Sequence, residues 1–109
     1  MQAYSGYGFL RRPKVWHRES NGGLIFMVSA QVTIHTPHGL HLRPAGELAE
    51  EALKYRCRVS LAHGDKEISA KSLLGILSLC IRQDTEITVV CDGMDEQEAL
   101  EGMVQFIEH

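Results

Sequence analysis

The chain has 109 residues, 44% of them hydrophobic and 23% charged, enough for one modest core and too short for a two-domain enzyme with a separate cofactor domain. Its longest apolar run, Leu24–Val28, is five residues against the roughly 20 that span a bilayer, so a soluble chain with no membrane insertion is expected. Residues 1–26 carry four basic side chains against one acidic, while 27–109 carry 7 basic and 13 acidic; an acidic body argues against nucleic acid as the main partner.

The first 26 residues show neither helical nor strand periodicity and hold four of the ten glycines. They read as a poorly structured N-terminal extension, with the domain itself running over 27–109. Arg11, Arg12 and Lys14 are followed by too short an apolar stretch for a secretory signal, and no small-residue cleavage site comes after it. Gly22-Gly23 can be encoded by GGAGGN, the core of a bacterial ribosome-binding sequence, three codons before Met27. Met27 is therefore expected to be the true initiator and the leader a mis-assigned start. Cys57, Cys80 and Cys91 form no CxxC pair and are odd in number, as suits free thiols in a reducing cytoplasm.

From Met27 the pattern sharpens. Val28, Ala30, Val32 and Ile34 alternate with Ser29, Gln31, Thr33 and His35, the mark of a half-buried strand. Pro37-His38-Gly39 is a turn, and Pro44 is expected at the first position of a helix whose Ala45, Leu48, Ala49 and Ala52 face inward. Strands near Arg58–Ala62 and Lys66–Ala70 flank the hairpin signal His63-Gly64-Asp65. Ser72 is a good cap for a short apolar helix to Leu79, and Glu86–Cys91 alternates again as a strand. After Asp92-Gly93, Asp95 with Glu98 resembles a capping box, and Ala99, Leu100, Met103, Val104 and Ile107 form the last apolar stripe. The order βαββαβα predicts an α+β fold, an antiparallel sheet with helices over one face.

The chemistry concentrates at His38-Gly39-Leu40-His41-Leu42-Arg43-Pro44-Ala45. The first amides of a helix lack intrahelical partners and carry the positive end of its dipole. With Arg43 they make an anion site suited to phosphate, and the same field favours a neutral, nucleophilic imidazole at His41. A phosphoryl group on that ring would meet amides and guanidinium together, the design of a covalent histidine carrier. The blander reading is an exposed turn histidine. A small metal-binding or sensor module built on His35, His38 and His41 is a distant alternative, since no Cys or carboxylate stands near them in the sequence. His17, His63 and His109 read as surface residues.

Gly39-Leu40-His41-Leu42-Arg43-Pro44-Ala45 resembles the active-site signature of the HPr family, the histidine-containing phosphocarriers of the bacterial phosphotransferase system. Ala70–Leu79 and Asp92–Leu100 resemble that family's second and third motifs, in register, and the resemblance runs from Met27 to the end. It implies an open-faced β-sandwich, a four-stranded antiparallel sheet covered on one face by three helices. It also implies that enzyme I phosphorylates His41 on Nδ1, that Arg43 balances the phosphate, and that EIIA domains of sugar permeases receive it. The family's carriers need no cofactor or metal, are not enzymes in the ordinary sense, and suit a diffusing cytoplasmic monomer. A regulatory paralogue of the nitrogen or catabolite-control type, with little role in sugar uptake, is the alternative within the family.

Leu73, Leu74, Ile76, Leu77 and Leu79 leave the short helix almost no polar face, which ordinarily means burial. In so small a domain some stay exposed as a docking patch beside His41; the resemblance marks Leu73, Leu74 and Leu77 as partner-binding. Ser72 is either a plain cap or, by the resemblance, the serine modified by HPr kinase/phosphorylase, which adds about −1.5 to −2 charge there. Cys80 and Asp84 stand where the family has glycine. If either backbone is left-handed, a strain of order 1 kcal/mol follows.

Overall fold

The sheet forms where the sequence alternates. Val28, Ala30, Val32 and Ile34 are buried, as are Ile87, Val89 and Cys91, while the residues between them are mostly half-buried or exposed. A computed structural model describes residues 14–20 and 23–108, with side chains described from 27 to 108. Among these residues the elements are β1 (Lys14–Ser20), β2 (Gly23–Thr33), α1 (Leu42–Ala52), β3 (Arg58–His63), β4 (Lys66–Ser69), α2 (Leu73–Ser78), β5 (Glu86–Asp92) and α3 (Glu96–Glu108). The strands lie in the order β1-β2-β5-β3-β4, every neighbouring pair antiparallel. The expected four strands and three helices are all there, an open-faced sandwich. α3 packs on β2 and β5, α2 on β4, and α1 against both helices.

One strand lies outside the expectation. Lys14–Ser20, in the leader, pairs with Gly23–Ser29 and extends β2 five residues before Val28. Backbone ladders need no alternation in the side chains, so periodicity carried no sign of β1. Residues 1–13, 21–22 and 109 lie outside the described residues, as do the side chains of the whole leader, His17 included. The expectations about Gly22, a start at Met27 and His109 therefore have no structural counterpart.

Two serines depart from the alternation, Ser29 on β2 and Ser60 on β3. Ser29 is 5% exposed although it points away from the helices. It sits between Lys14 of β1 and Val90 of β5, and so small a side chain is shaded by flanking strands.

Two helix starts differ from expectation. Pro44 is the third residue of α1, because His41 is its N-cap. That position is harmless for the same reason the first would be, since the opening amides of a helix lack intrahelical acceptors anyway. Asp95 does not build a capping box with Glu98. Its carboxylate accepts the Arg56 and Cys57 amides at 2.9 and 2.8 Å, stapling the head of α3 to the head of β3, while the Glu96 carboxylate accepts the Gly93 amide at 3.0 Å. The Arg56 amide, above all, holds the Asp95 carboxyl below its ordinary range. A depressed carboxyl stabilises the fold above its unfolded value, near about 3.9, and the benefit fades as pH falls through the lower folded value. The stability difference between wild type and Asp95→Asn, followed by urea denaturation, should thus be constant from pH 5 to 7 and shrink below about pH 4.

Ser72 caps α2 as expected, its Oγ accepting the Gly75 amide at 3.0 Å. Just past that helix Cys80 has φ 54°, and Asp84 has φ 68°. Both are left-handed, so the strain the sequence raised is present. Cys80 occupies the residue after the C-cap, where glycine usually ends a helix. Asp84 turns its amide onto the Ile34 carbonyl at 2.6 Å, carrying the β2–β5 ladder into the loop. Cys80→Gly is expected to raise stability by about 1 kcal/mol, a gain in Tm of roughly 4–8 °C for a domain this size. Cys57 and Cys91 are buried, Cys80 is exposed, and all three are free thiols. Burial pushes the Cys57 thiol up to about 11 and raises that of Cys91 as well, keeping both protonated near neutral pH.

Candidate functional site

The segment before His41 is held from two sides. The Gly39 amide bonds to the Thr36 carbonyl at 2.9 Å, closing a turn with Pro37 second and His38 third. His38 has φ 68°, as the third place of a type II turn demands. The Leu40 amide then bonds to the Ile81 carbonyl at 3.0 Å, joining the head of α1 to the connection after α2. Gly39 has φ 74° and lies against the Ile81 carbonyl and the Arg82 backbone, where a Cβ would stand 2.6 Å from Arg82 Cα. Only glycine fits there.

His41 follows as the N-cap of α1, extended at φ −87° and ψ −169°. Its carbonyl accepts the Ala45 amide at 2.9 Å, but its imidazole makes no capping bond and is exposed. The amides of Leu42 and Arg43 open the helix, and Pro44 has none to offer. Arg43 sits 3.8 Å from Glu47 through Nε, with 87% of its side chain exposed. So exposed a pair is worth little, and the guanidinium is free to turn to an anion. A cleft of about 660 Å³ adjoins the ring, lined by Pro37, His38, Glu47, Phe106 and Ile107 among others. His41 and Arg43 therefore stand together, as expected, at a helix start with an open approach.

The predicted docking residues divide. Leu74 is 78% exposed, whereas Leu73 and Leu77 are half-buried against the core that holds Ile76. Ser72 is exposed at the same end of α2. Leu42, 65% exposed beside His41, adds an apolar surface that the sequence reading did not single out, and Phe106 adds another in the cleft. Phe106 lies off the stripe that buries Leu100, Met103 and Val104, an aromatic on a face the period assigns to solvent; that signal was available. Among the described residues no group of three or more His, Cys, Asp or Glu could hold a metal ion. Nor is any described helix long and apolar enough to cross a membrane.

Comparison with known proteins assigns this geometry to a family. The family model for the PTS HPr component phosphorylation site matches residues 28–109. The chain belongs to the HPr family. It is 38% identical over 82 residues to the HPr-like protein Crh of Halalkalibacterium halodurans, covering 75% of this chain and 98% of that one. It is 40% identical over 81 residues to the phosphocarrier protein HPr of Haemophilus influenzae, covering 74% and 95%. The crystal structure of HPr from Bacillus anthracis superposes with a TM-score of 0.71 at 33% identity, over 74% of this chain and 96% of that one. HPr-family proteins are phosphocarriers that work with components of the phosphotransferase system, and they are carriers rather than enzymes. The match begins at Val28, so β1 lies outside it.

Proposed function

We propose that this HPr-family chain accepts a phosphoryl group from phospho-enzyme I on His41 and passes it to EIIA domains of sugar permeases. The observation that carries this reading is the exposed, uncommitted imidazole of His41 at the N-cap of α1. In the first step an N–P bond forms on that ring, at Nδ1, as the donor's bond to phosphorus breaks. In the second the N–P bond opens as the acceptor's nitrogen takes the group. The Leu42 and Arg43 amides and the positive end of the α1 dipole favour the anion, and Arg43 supplies a full positive charge once it leaves Glu47. Each cycle returns the chain unchanged, so it is a carrier. Leu74, with the exposed edges of Leu73 and Leu77, receives enzyme I and EIIA in turn through small transient interfaces. The carrier acts as a diffusing monomer in the cytoplasm.

A regulatory paralogue is the second reading. It is favoured by the similarity to Crh and by the exposed Ser72 hydroxyl, a substrate for HPr kinase/phosphorylase. Phosphate there would reinforce the N-terminus of α2 and set a charge beside Leu73 and Leu74.

Phosphoenolpyruvate with enzyme I is expected to label wild type with an acid-labile, alkali-stable phosphate and to leave His41→Ala unlabelled. No label on folded wild type would overturn the carrier reading. A label that passes to no EIIA domain, with Ser72 phosphorylated by its kinase, would favour the regulatory paralogue.

A further inference from the structure

Beside the acceptor ring stands a second imidazole. The rings of His38 and His41 lie 6.2 Å apart between centroids, at 70° to one another, and both side chains are exposed at the same cleft. The backbone makes this pairing less than casual. His38 holds the third place of the 36–39 turn at φ 68°, where glycine or asparagine is easier. A left-handed residue that is neither, held next to a reactive ring, is an observed outlier from which function can be argued. Nor can the turn drift, because Gly39 is pressed on the Ile81 and Arg82 backbone and Leu40 is bonded to Ile81.

We propose that His38 is a positioning residue for the phosphoryl group on His41, one whose charge sets how long the phospho-form survives. This rests on the reading of His41 as the acceptor. Breaking the N–P bond to water releases the ring as a neutral imidazole only when its other nitrogen has taken up a proton; water's oxygen then bonds to phosphorus and inorganic phosphate leaves. An imidazolium at His38 acts twice in the same direction. It attracts the phosphoryl dianion and holds it over α1, and it opposes a second positive charge on the neighbouring His41 ring. Both effects lengthen the life of the N–P bond when His38 is protonated. Both vanish when it is neutral, and histidine changes charge between about pH 5 and 8.

Other charges face the pair. His35 lies on the same segment, Arg43 and Glu47 on α1, and Glu108 at the end of α3. Arg82 and Asp84 belong to the connection packed on Gly39. Of these only His35 is a second imidazole, so His35→Gln is the control.

The test compares wild type, His38→Asn and His35→Gln, each loaded on His41 by phosphoenolpyruvate and enzyme I and then separated from that enzyme. Asparagine suits the left-handed turn, so the fold survives while the imidazole is lost. Hydrolysis of the phospho-form is followed from pH 5.5 to 8.5. Phospho-His38→Asn should hydrolyse roughly three to ten times faster than wild type at pH 5.5, the range for a unit charge about 6 Å away in a half-solvated site. The two should converge above pH 8, with His35→Gln following wild type throughout. Superimposed profiles for wild type and His38→Asn would overturn this role and leave His41 as acceptor. The same profile shift in His35→Gln as in His38→Asn would overturn the assignment to His38. Failure of wild type to be labelled on His41 would sink the carrier reading and this one with it.

Discussion

Gly39→Ala is expected to cost about 2–5 kcal/mol of stability and to reduce phosphoryl acceptance by more than that loss alone explains. Two penalties combine. A left-handed alanine costs about 1–2 kcal/mol, and the new Cβ meets the Ile81 carbonyl and Arg82 Cα, which belong to backbone and cannot rotate away. Forcing the contact apart costs roughly a further 1–3 kcal/mol. The displaced atoms are those that seat His41, since the Leu40–Ile81 bond is the next link in the chain. Gly46→Ala is the control. A Cβ at Gly46, within α1, meets nothing within 4 Å, so this change should stabilise by about 0.5–1 kcal/mol. Urea denaturation of both variants, with phosphoenolpyruvate-dependent labelling at a temperature where each is folded, separates the effects. A Gly39→Ala protein as stable as Gly46→Ala would show that the close approach to the Ile81–Arg82 backbone is not real.

Leu100→Ala should cost about 3–5 kcal/mol, a large part of what a domain of this size possesses. Leu100 is fully buried on α3, the helix that covers β2 and β5 at the centre of the sheet. Its removal leaves a cavity in the core cluster that also holds Val32, Val89 and Met103, all equally enclosed. Leu74→Ala is the opposite case. At 78% exposure the side chain contributes little to the core, and stability should change by less than about 0.5 kcal/mol. If Leu74 is the apolar contact for enzyme I, KM for the variant as phosphoryl acceptor should rise about tenfold while kcat is held. Thermal unfolding and steady-state transfer on the two variants distinguish them. Equal destabilisation by both would contradict the placement of α2.

Most of the fold was legible because both periods are strong in this chain. Strand alternation at 28–34 and 86–91, and the stripes at 45–52 and 99–107, each name the face that must be buried, and one sheet under three helices satisfies them together. The second period also explains an error: Asp95 and Glu98 have capping-box spacing, but the Asp95 carboxylate went to amides nearly forty residues back in the chain, which local spacing cannot reveal. β1 escaped for a different reason, since its pairing is carried by the backbone.

The sequence by itself determined the βαββαβα order from β2 onward, the inward faces of β2, β5, α1 and α3, the cap at Ser72, and the placing of His41 and Arg43 at a helix start, because all of these follow from neighbours within one turn or one strand. It also located the strain at Cys80 and Asp84, through departure from a motif, but φ values of 54° and 68° came only with the packed loop. Tertiary structure alone decided that Leu74 faces solvent while Leu73 and Leu77 lean on the core, that Phe106 turns toward the His41 cleft, and that His38 stands beside His41. Those outcomes depend on which distant segment arrives to cover a side chain, here the Ile81–Arg82 backbone against Gly39, and no local pattern encodes that arrival.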